Sequence, residues 1–347
     1  SCGDIGCYTL GNAMPLDMVD TCLCMGADIT MAQGLHRIEP DTVNFSFIGD
    51  STFFASGMTG IVNAVYNRTD IILMVLDNST TAMTGHQPHP DDILIKERLS
   101  AYQSAGISYL RDGGDRFGVC LRAKELAPEY GITYRTPAFP IYKKGHYGSF
   151  IGRGWSDFAE YRALLAEAQA SGADFIKLMV SGLMDFSAYG VLTEEPLTGA
   201  EMHDLIAAAH DLGFAVMAHC NGAKAVKNAV TAEVDSIEHG AYLDDEACHI
   251  LAESDTVWVP TLSTIGNLIG SGRFPDDVAE RILRSAQENI RKVANLGGHI
   301  GLGCDAGAFR VPHVEGTFSE EKWLRETLGD KTDAILSAAE GQIQAKF

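Results

Sequence analysis

Four side chains have the types and the placement to hold a cation and move a proton. Lys177 lies near the end of the apolar run Phe175-Ile-Lys-Leu-Met-Val-Ser-Gly182, and His219, His239 and Asp305 close three later runs of the same kind. A cation ending a buried strand needs a partner. Imidazoles offer neutral nitrogen ligands, and a carboxylate can ligate a metal or take a proton from a water bound to it. Lysine joins such a set only when its charge is removed, as when carbon dioxide converts the amine into a carbamate that can bridge two metals. Each residue taken singly has a plainer role, since a lone histidine is usually hydrogen-bonded in the core or at the surface and a strand-end lysine is usually solvated or paired. The joint pattern is stronger. Each of the four strand ends is followed by small residues: Ser181-Gly182, Cys220-Asn-Gly222, Gly240-Ala241 and Ala306-Gly307.

Strands must carry these residues to one place. From about residue 106, β-rich apolar runs at 107–110, 132–135, 175–180, 215–218, 236–238, 257–259 and 300–302 alternate with amphipathic stretches at 157–170, 199–212 and 276–296. That alternation predicts a parallel sheet with crossover helices. In a (β/α)8 barrel the strand C-termini converge on one mouth, so residues far apart in sequence meet there. Seven runs leave one strand missing, and 70–76, ahead of a helix at 92–104, is the candidate first stave. Upstream, a buried strand at 43–48, a turn at Gly49-Asp50-Ser51 and a helix at 53–66 read as a nucleotide-type βαβ unit. Pro88, His89 and Pro90 interrupt the pattern and set a boundary there.

The 347 residues are 46% hydrophobic, enough for one large α/β domain plus a smaller unit. Lys+Arg of 26 against Asp+Glu of 46 gives a net charge of −20, which repels phosphate backbones and anionic membrane surfaces. Nucleic acid and membrane are therefore not expected partners. No run approaches the ~20 apolar residues of a membrane span, and Ser1-Cys-Gly-Asp4 lacks a secretion signal, so a cytoplasmic protein is expected. The eight cysteines include no Cys-x-x-Cys pair, which points to reduced, mostly buried thiols.

Gly106-Ile-Ser-Tyr-Leu-Arg-Asp-Gly113, Ala173-Asp-Phe-Ile-Lys177, Val216-Met-Ala-His219, Asp235-Ser-Ile-Glu-His-Gly240 and Gly301-Leu-Gly-Cys-Asp-Ala-Gly307 resemble the amidohydrolase superfamily, in particular its imidazolonepropionase-like and prolidase-like members. The resemblance implies a TIM-barrel metallohydrolase over about 91–347. In it Lys177 would be the carboxylated bridging ligand, His219 and His239 would ligate one metal, and Asp305 would be both ligand and general base. The implied reaction is attack of metal-activated hydroxide on an amide, cyclic amide or dipeptide carbon–nitrogen bond of a small molecule, with zinc the default metal. Such enzymes normally open with a His-x-His pair on the first strand, and none is visible; Leu76-Asp-Asn-Ser-Thr80 stands there instead, so the barrel is expected to be incomplete at that strand. His86-Gln-Pro-His89 has the wrong spacing to substitute.

The first ninety residues resemble a different family. Gly3-Asp-Ile-Gly-Cys-Tyr-Thr-Leu-Gly11, Met25-Gly-Ala-Asp28, Gly49-Asp-Ser-Thr-Phe53 and Leu76-Asp-Asn-Ser-Thr-Thr-Ala-Met-Thr-Gly-His-Gln-Pro-His-Pro90 are similar to the thiamine-diphosphate domain of indolepyruvate ferredoxin oxidoreductase, alpha subunit. That resemblance implies an α/β fragment in which Gly49, Asp50, Asn78 and the Thr80 carbonyl surround magnesium and a diphosphate. Catalysis by that cofactor also needs a second domain and iron–sulfur relays, which this sequence does not encode. The chain thus reads as two unrelated pieces joined near Pro88 to Asp92. Two alternatives stand beside the hydrolase: a thiamine-diphosphate oxidoreductase fragment, and an inert fusion or assembly product.

Among secondary candidates, Tyr242 and Arg153 could touch substrate, His313 could approach the mouth from the loop after the last strand, and 184–189 is a candidate specificity loop. Asp112-Gly-Gly-Asp115 reads as a capped turn, Cys220 as strand packing and Trp258 as core. No Gly-x-Ser-x-Gly elbow occurs. Oligomeric state, a homo-oligomer included, stays open.

Overall fold

Ile72–Leu76, expected to open the barrel, instead pairs in parallel with Phe45–Gly49, from Phe45 beside Ile72 to Gly49 beside Leu76. An apolar run fits any parallel sheet, and the intervening helix returns this one beside the strand it has just left, the shortest crossover available. The computed structural model describes residues 1–4, 14, 15, 17–76, 80, 81, 87, 88 and 90–347. The chain divides into two units, Ser1–Glu97 and Arg98–Phe347.

The first unit holds a four-stranded parallel sheet in the order Thr21–Cys22, Cys2–Gly3, Phe45–Gly49, Ile72–Leu76. Asp28–Ile38 and Met58–Tyr66 are its main helices. Helix begins at Asp50 directly after the Phe45–Gly49 strand, so the turn expected at Gly49-Asp50-Ser51 is a strand-to-helix junction.

In the second unit all seven strands read from the sequence are present: Tyr109–Arg111, Thr133–Arg135, Ile176–Met179, Val216–Cys220, Ser236–His239, Val257–Val259 and His299–Ile300. Two more, Pro140–Lys143 and Arg153–Trp155, are not read from the sequence: the first opens on a proline and the second, Arg-Gly-Trp, has a single apolar side chain. Tyr109–Arg111 pairs with Thr133–Arg135, and the remaining seven strands form one parallel sheet from Arg153–Trp155 through Pro140–Lys143 and Ile176–Met179 to His299–Ile300. The Asp174 amide donates to the Thr136 carbonyl at 2.8 Å, which carries the wall on from the first pair. Among the described residues no ladder joins His299–Ile300 to Tyr109–Arg111.

The helices start where the side chains tell them to. Asp157 accepts the Glu160 amide at 2.9 Å and opens Phe158–Ala170, while Thr198 and Glu201 form a reciprocal capping box that opens Gly199–His210. Strand side chains then sort by alternation. Ile176, Leu178, Ala218, Cys220, Ile237 and Trp258 pack outward against the helices, and Phe175, Met217, Val257 and Val259 face inward, where Ala339 and Ile343 of the last helix, Thr332–Lys346, and Phe347 just after it cover them. Two residues beyond Phe175 and Met217 on that inner face come Lys177 and His219. The interior is thus apolar at one end and polar at the other.

The described thiols are all free, although Cys22 and Cys24 are exposed rather than buried. No described helix is long and apolar enough to cross a membrane.

Candidate functional site

Strand register brings the two histidines side by side. His219 lies opposite Glu238, and Cys220 opposite His239. Alternation alone would send His239 outward with Ile237, but its φ of +74° turns it back, and its ring meets that of His219 at 4.6 Å between centroids, inclined 66°. Thr261, Tyr242 and Asp305, also at strand ends or in the loops after them, have φ of +50°, +61° and +57°. Backbone strain of this kind is retained where the surrounding structure over-determines it, and it concentrates at functional sites.

Lys177 and His219 are only 5% and 3% exposed. Burial pulls the Lys177 ammonium below the ordinary lysine range, against the attraction of Glu238 and Asp305 and helped by repulsion from Arg111. No hydrogen bond or ion pair holds its amine among the described residues. Burial, then the neighbouring His239 and Lys177, drives His219 well below the usual histidine value, and burial with Lys177 takes His239 down to about 3. Both rings are therefore neutral, and each has one nitrogen engaged. His219 donates Nε2–H to the Gly182 carbonyl at 3.1 Å, which leaves the Nδ1 lone pair; His239 Nδ1 meets Thr261 Oγ1 at 2.7 Å, which leaves Nε2.

Two neutral imidazoles with free lone pairs beside an unpartnered buried amine fit a divalent cation. The set is not complete as it stands: among the described residues no three His, Cys, Asp or Glu side chains are gathered closely enough to hold an ion. Asp305 is exposed, yet close enough that its charge acts on both Lys177 and His219.

Several residues at the mouth escape sequence reading. Tyr147 lays its ring 4.9 Å from that of His219, and burial together with Asp305 pushes its hydroxyl up to about 12. Asn221, 1% exposed, receives from Ala241, donates to the Gly182 carbonyl and has its own amide bound by Ser181 Oγ, so it joins three of the four small-residue segments. Arg111 and Glu238 form an ion pair of 2.8 Å on the inner wall. The available signal was a charged residue inside an apolar strand; for Tyr147 there was none.

The secondary candidates separate. Tyr242 packs edge-on against Tyr189 at 5.3 Å and buries its hydroxyl without a hydrogen bond. Arg153 lies over Phe139 and pairs with Glu167 at 3.4 Å, and His313 is tied to Tyr102 at 3.0 Å, so both are committed to their own neighbours. Asp115 caps the amides of Phe117, Val119 and Cys120, as a turn residue should. In the first unit Asp50 is 3% exposed at the end of its strand; Asn78, His86 and His89 lie outside the described residues, and Thr80 pairs with Pro88 in a short antiparallel ladder.

A parallel α/β barrel wall with polar residues at its strand ends is an architecture that carries active sites at that mouth. Residues 105–335 match the amidohydrolase family, more than half of the chain, and the chain belongs to that family. That family usually binds a divalent metal. Its fold is like that of a crystal structure of a Xaa-Pro dipeptidase with bound methionine, at TM-score 0.62 and 22% identity over 80% of this chain and 78% of that one. The Aspergillus ochratoxinase structure (A. niger) is similar at TM-score 0.60 and 18% identity, over 77% and 66%. Residues 4–104 match the C-terminal thiamine pyrophosphate-binding domain of thiamine pyrophosphate enzymes. Indolepyruvate oxidoreductase subunit IorA of Archaeoglobus fulgidus is 53% identical over 87 residues, 25% of this chain; the chain spans 14% of that relative's length.

Proposed function

We propose that Arg98–Phe347 hydrolyses an amide-like carbon–nitrogen bond of a small molecule at the mouth lined by Lys177, His219, His239 and Asp305, with one divalent ion, zinc first, held there. The observation that carries this is the pair of neutral imidazoles 4.6 Å apart beside a buried lysine with no hydrogen-bond partner. When bound, such an ion supplies Lewis acidity toward water and toward a carbonyl.

The chain's own groups do the rest. His219 offers Nδ1 and His239 offers Nε2. Lys177 joins as a ligand once its neutral amine adds carbon dioxide, forming an N–C bond and releasing one proton. Removing the charge of a buried ammonium favours that change. Asp305 stands at the rim, takes a proton from the attacking water and returns it to the leaving nitrogen. Tyr147 keeps its hydroxyl proton throughout the neutral range and covers His219, and Tyr242 packs against Tyr189 of the 184–189 loop.

The test is elemental analysis of purified protein together with hydrolysis of dipeptides, N-acyl amino acids and cyclic amides. Wild type should retain zinc or another divalent metal, and Lys177→Ala should lose both metal and activity. Full metal and activity in Lys177→Ala would end the proposal.

A second reading belongs to the first unit, supported by the 53% identity over 87 residues and by Asp50 at a strand-to-helix junction. There Gly49, Asp50, Asn78 and Thr80 bind magnesium and the diphosphate of thiamine diphosphate. Calorimetric titration with magnesium and thiamine diphosphate checks it, with binding expected to vanish in Asp50→Ala.

A further inference from the structure

We infer that Thr261 and Glu320 form a positioning relay that fixes the tautomer and orientation of His239. The inference uses the site proposed above and names two residues outside its ligand set. Thr261 Oγ1 lies 2.7 Å from His239 Nδ1, the nitrogen on the ring's far side from the free lone pair. Thr261 is 2% exposed and holds φ at +50°, a conformation that β-branched residues avoid. Something must hold it there.

The Glu320 carboxylate does so from a helix far along the chain, Glu315–Leu328. It is fully buried and accepts the amides of Leu262 and Ser263 at 2.8 and 2.6 Å and the Ser263 hydroxyl at 2.7 Å. Two consecutive amides clamped on one carboxylate force the backbone to turn immediately after Thr261, and Thr264 closes the turn by donating its amide and hydroxyl to the Thr261 carbonyl at 3.0 and 2.8 Å. The turn presents the Thr261 hydroxyl to His239. On the other side Trp258 Nε1 donates to the His239 carbonyl at 2.9 Å, so backbone and ring of His239 are both fixed from the strand and loop that follow it. Of the two arrangements this contact allows, the one in which the hydroxyl accepts from Nδ1–H leaves the Nε2 lone pair free for a metal, and it is the one the relay requires; a hydroxyl donating to Nδ1 would put the proton on Nε2. Partners of this kind orient a metal-ligating imidazole and set its tautomer. Burial pushes the Glu320 carboxyl up to about 7 against the pull of its three donors, so measurements belong near pH 8, where it is ionised.

The relay is tested in the full chain by two readouts: the His239 tautomer from long-range proton–nitrogen NMR on metal-free protein, and zinc affinity from competition with a chromophoric chelator. Wild type should show the Nδ1–H tautomer alone. Thr261→Val should mix tautomers and weaken zinc by about 10–100-fold, while Thr261→Ser restores both. Thr261→Gly relieves the backbone and should melt no lower than wild type, yet bind zinc as weakly as Thr261→Val, which a purely structural role would not produce. Glu320→Gln should mimic Thr261→Val, and the double variant should be no worse than either single one. A single unchanged tautomer in Thr261→Val, or additive effects in the double variant, overturns the relay. Loss of the tautomer in Thr261→Val with no zinc bound even by wild type leaves the relay standing and sinks the hydrolase site instead.

Discussion

Arg111 donates to Glu238 at 2.8 Å across the inner wall, both side chains less than a tenth exposed, while the guanidinium sits 4.3 Å over the ring of Phe347. Ser236 ties the pair together, receiving from Arg111 at 2.9 Å and donating to Glu238 at 2.7 Å. Glu238 thereby has Arg111 as its ion-pair partner, one residue before His239.

Removing one partner leaves a buried charge uncompensated. Arg111→Met should cost about 3–5 kcal/mol of unfolding free energy. Tryptophan fluorescence in a denaturant titration measures this, because Trp155, Trp258 and Trp323 all lie in the second unit. A loss below about 1 kcal/mol, the size of a surface pair, would mean that the pair is solvated.

Gly240 has φ of +62°, and a Cβ there would strike Trp258 Nε1, the group that donates to the His239 carbonyl. Gly240→Ala should destabilise the second unit by about 1–3 kcal/mol and shift the Trp258 emission. Zinc binding should weaken with it. An unshifted spectrum would show that the indole has room to yield.

Tyr147 should act through its ring more than through its hydroxyl in holding the site together. Tyr147→Phe keeps the contact with His219 at 4.9 Å, whereas Tyr147→Ala opens that side of the mouth. Zinc affinity should stay within about threefold in the first and fall about tenfold in the second, the lower end of outer-partner effects. Equal losses in both would transfer the role to the hydroxyl.

His210 and Asp235 give stability a pH dependence away from the site. His210 Nε2 lies 2.8 Å from Asp235 Oδ2, which also accepts the Val216 amide. The Asp235 hydrogen bond raises His210 above the ordinary histidine range, with burial opposing. Burial by itself would raise Asp235, but the His210 hydrogen bond and the Val216 amide bring it below the usual carboxylate range. The histidine's contribution is complete below about pH 6.5 and disappears as pH climbs through its raised value. The aspartate's is present above about pH 4 and is lost as pH falls. Melting temperatures from about pH 5 to 9 should show wild type above His210→Gln on the acid side and the two curves converging toward the alkaline end. Parallel curves would rule the pair out.

Strand positions were legible because burial on both faces demands apolar, β-rich runs: the seven runs from 107–110 to 300–302 all fall on observed strands. The same property misled at 70–76, since an apolar run carries no label for its sheet and the pairing of Ile72–Leu76 with Phe45–Gly49 depends on a neighbour rather than on its own residues. Lys177, His219, His239 and Asp305 could be picked out as chemically unusual at strand ends, and the motifs around them marked the family.

What the chain's residues determined alone was therefore seven of the nine strands described in the second unit, the polar groups that end them and the family they mark. The tertiary structure decided how those groups face one another. His239 points inward only because a positive φ breaks the strand's alternation, and that φ is held by Trp258, Thr261 and a glutamate some eighty residues beyond. Such long-range hydrogen bonds leave no periodicity in a sequence, because each depends on two segments that meet only after the barrel wall has formed.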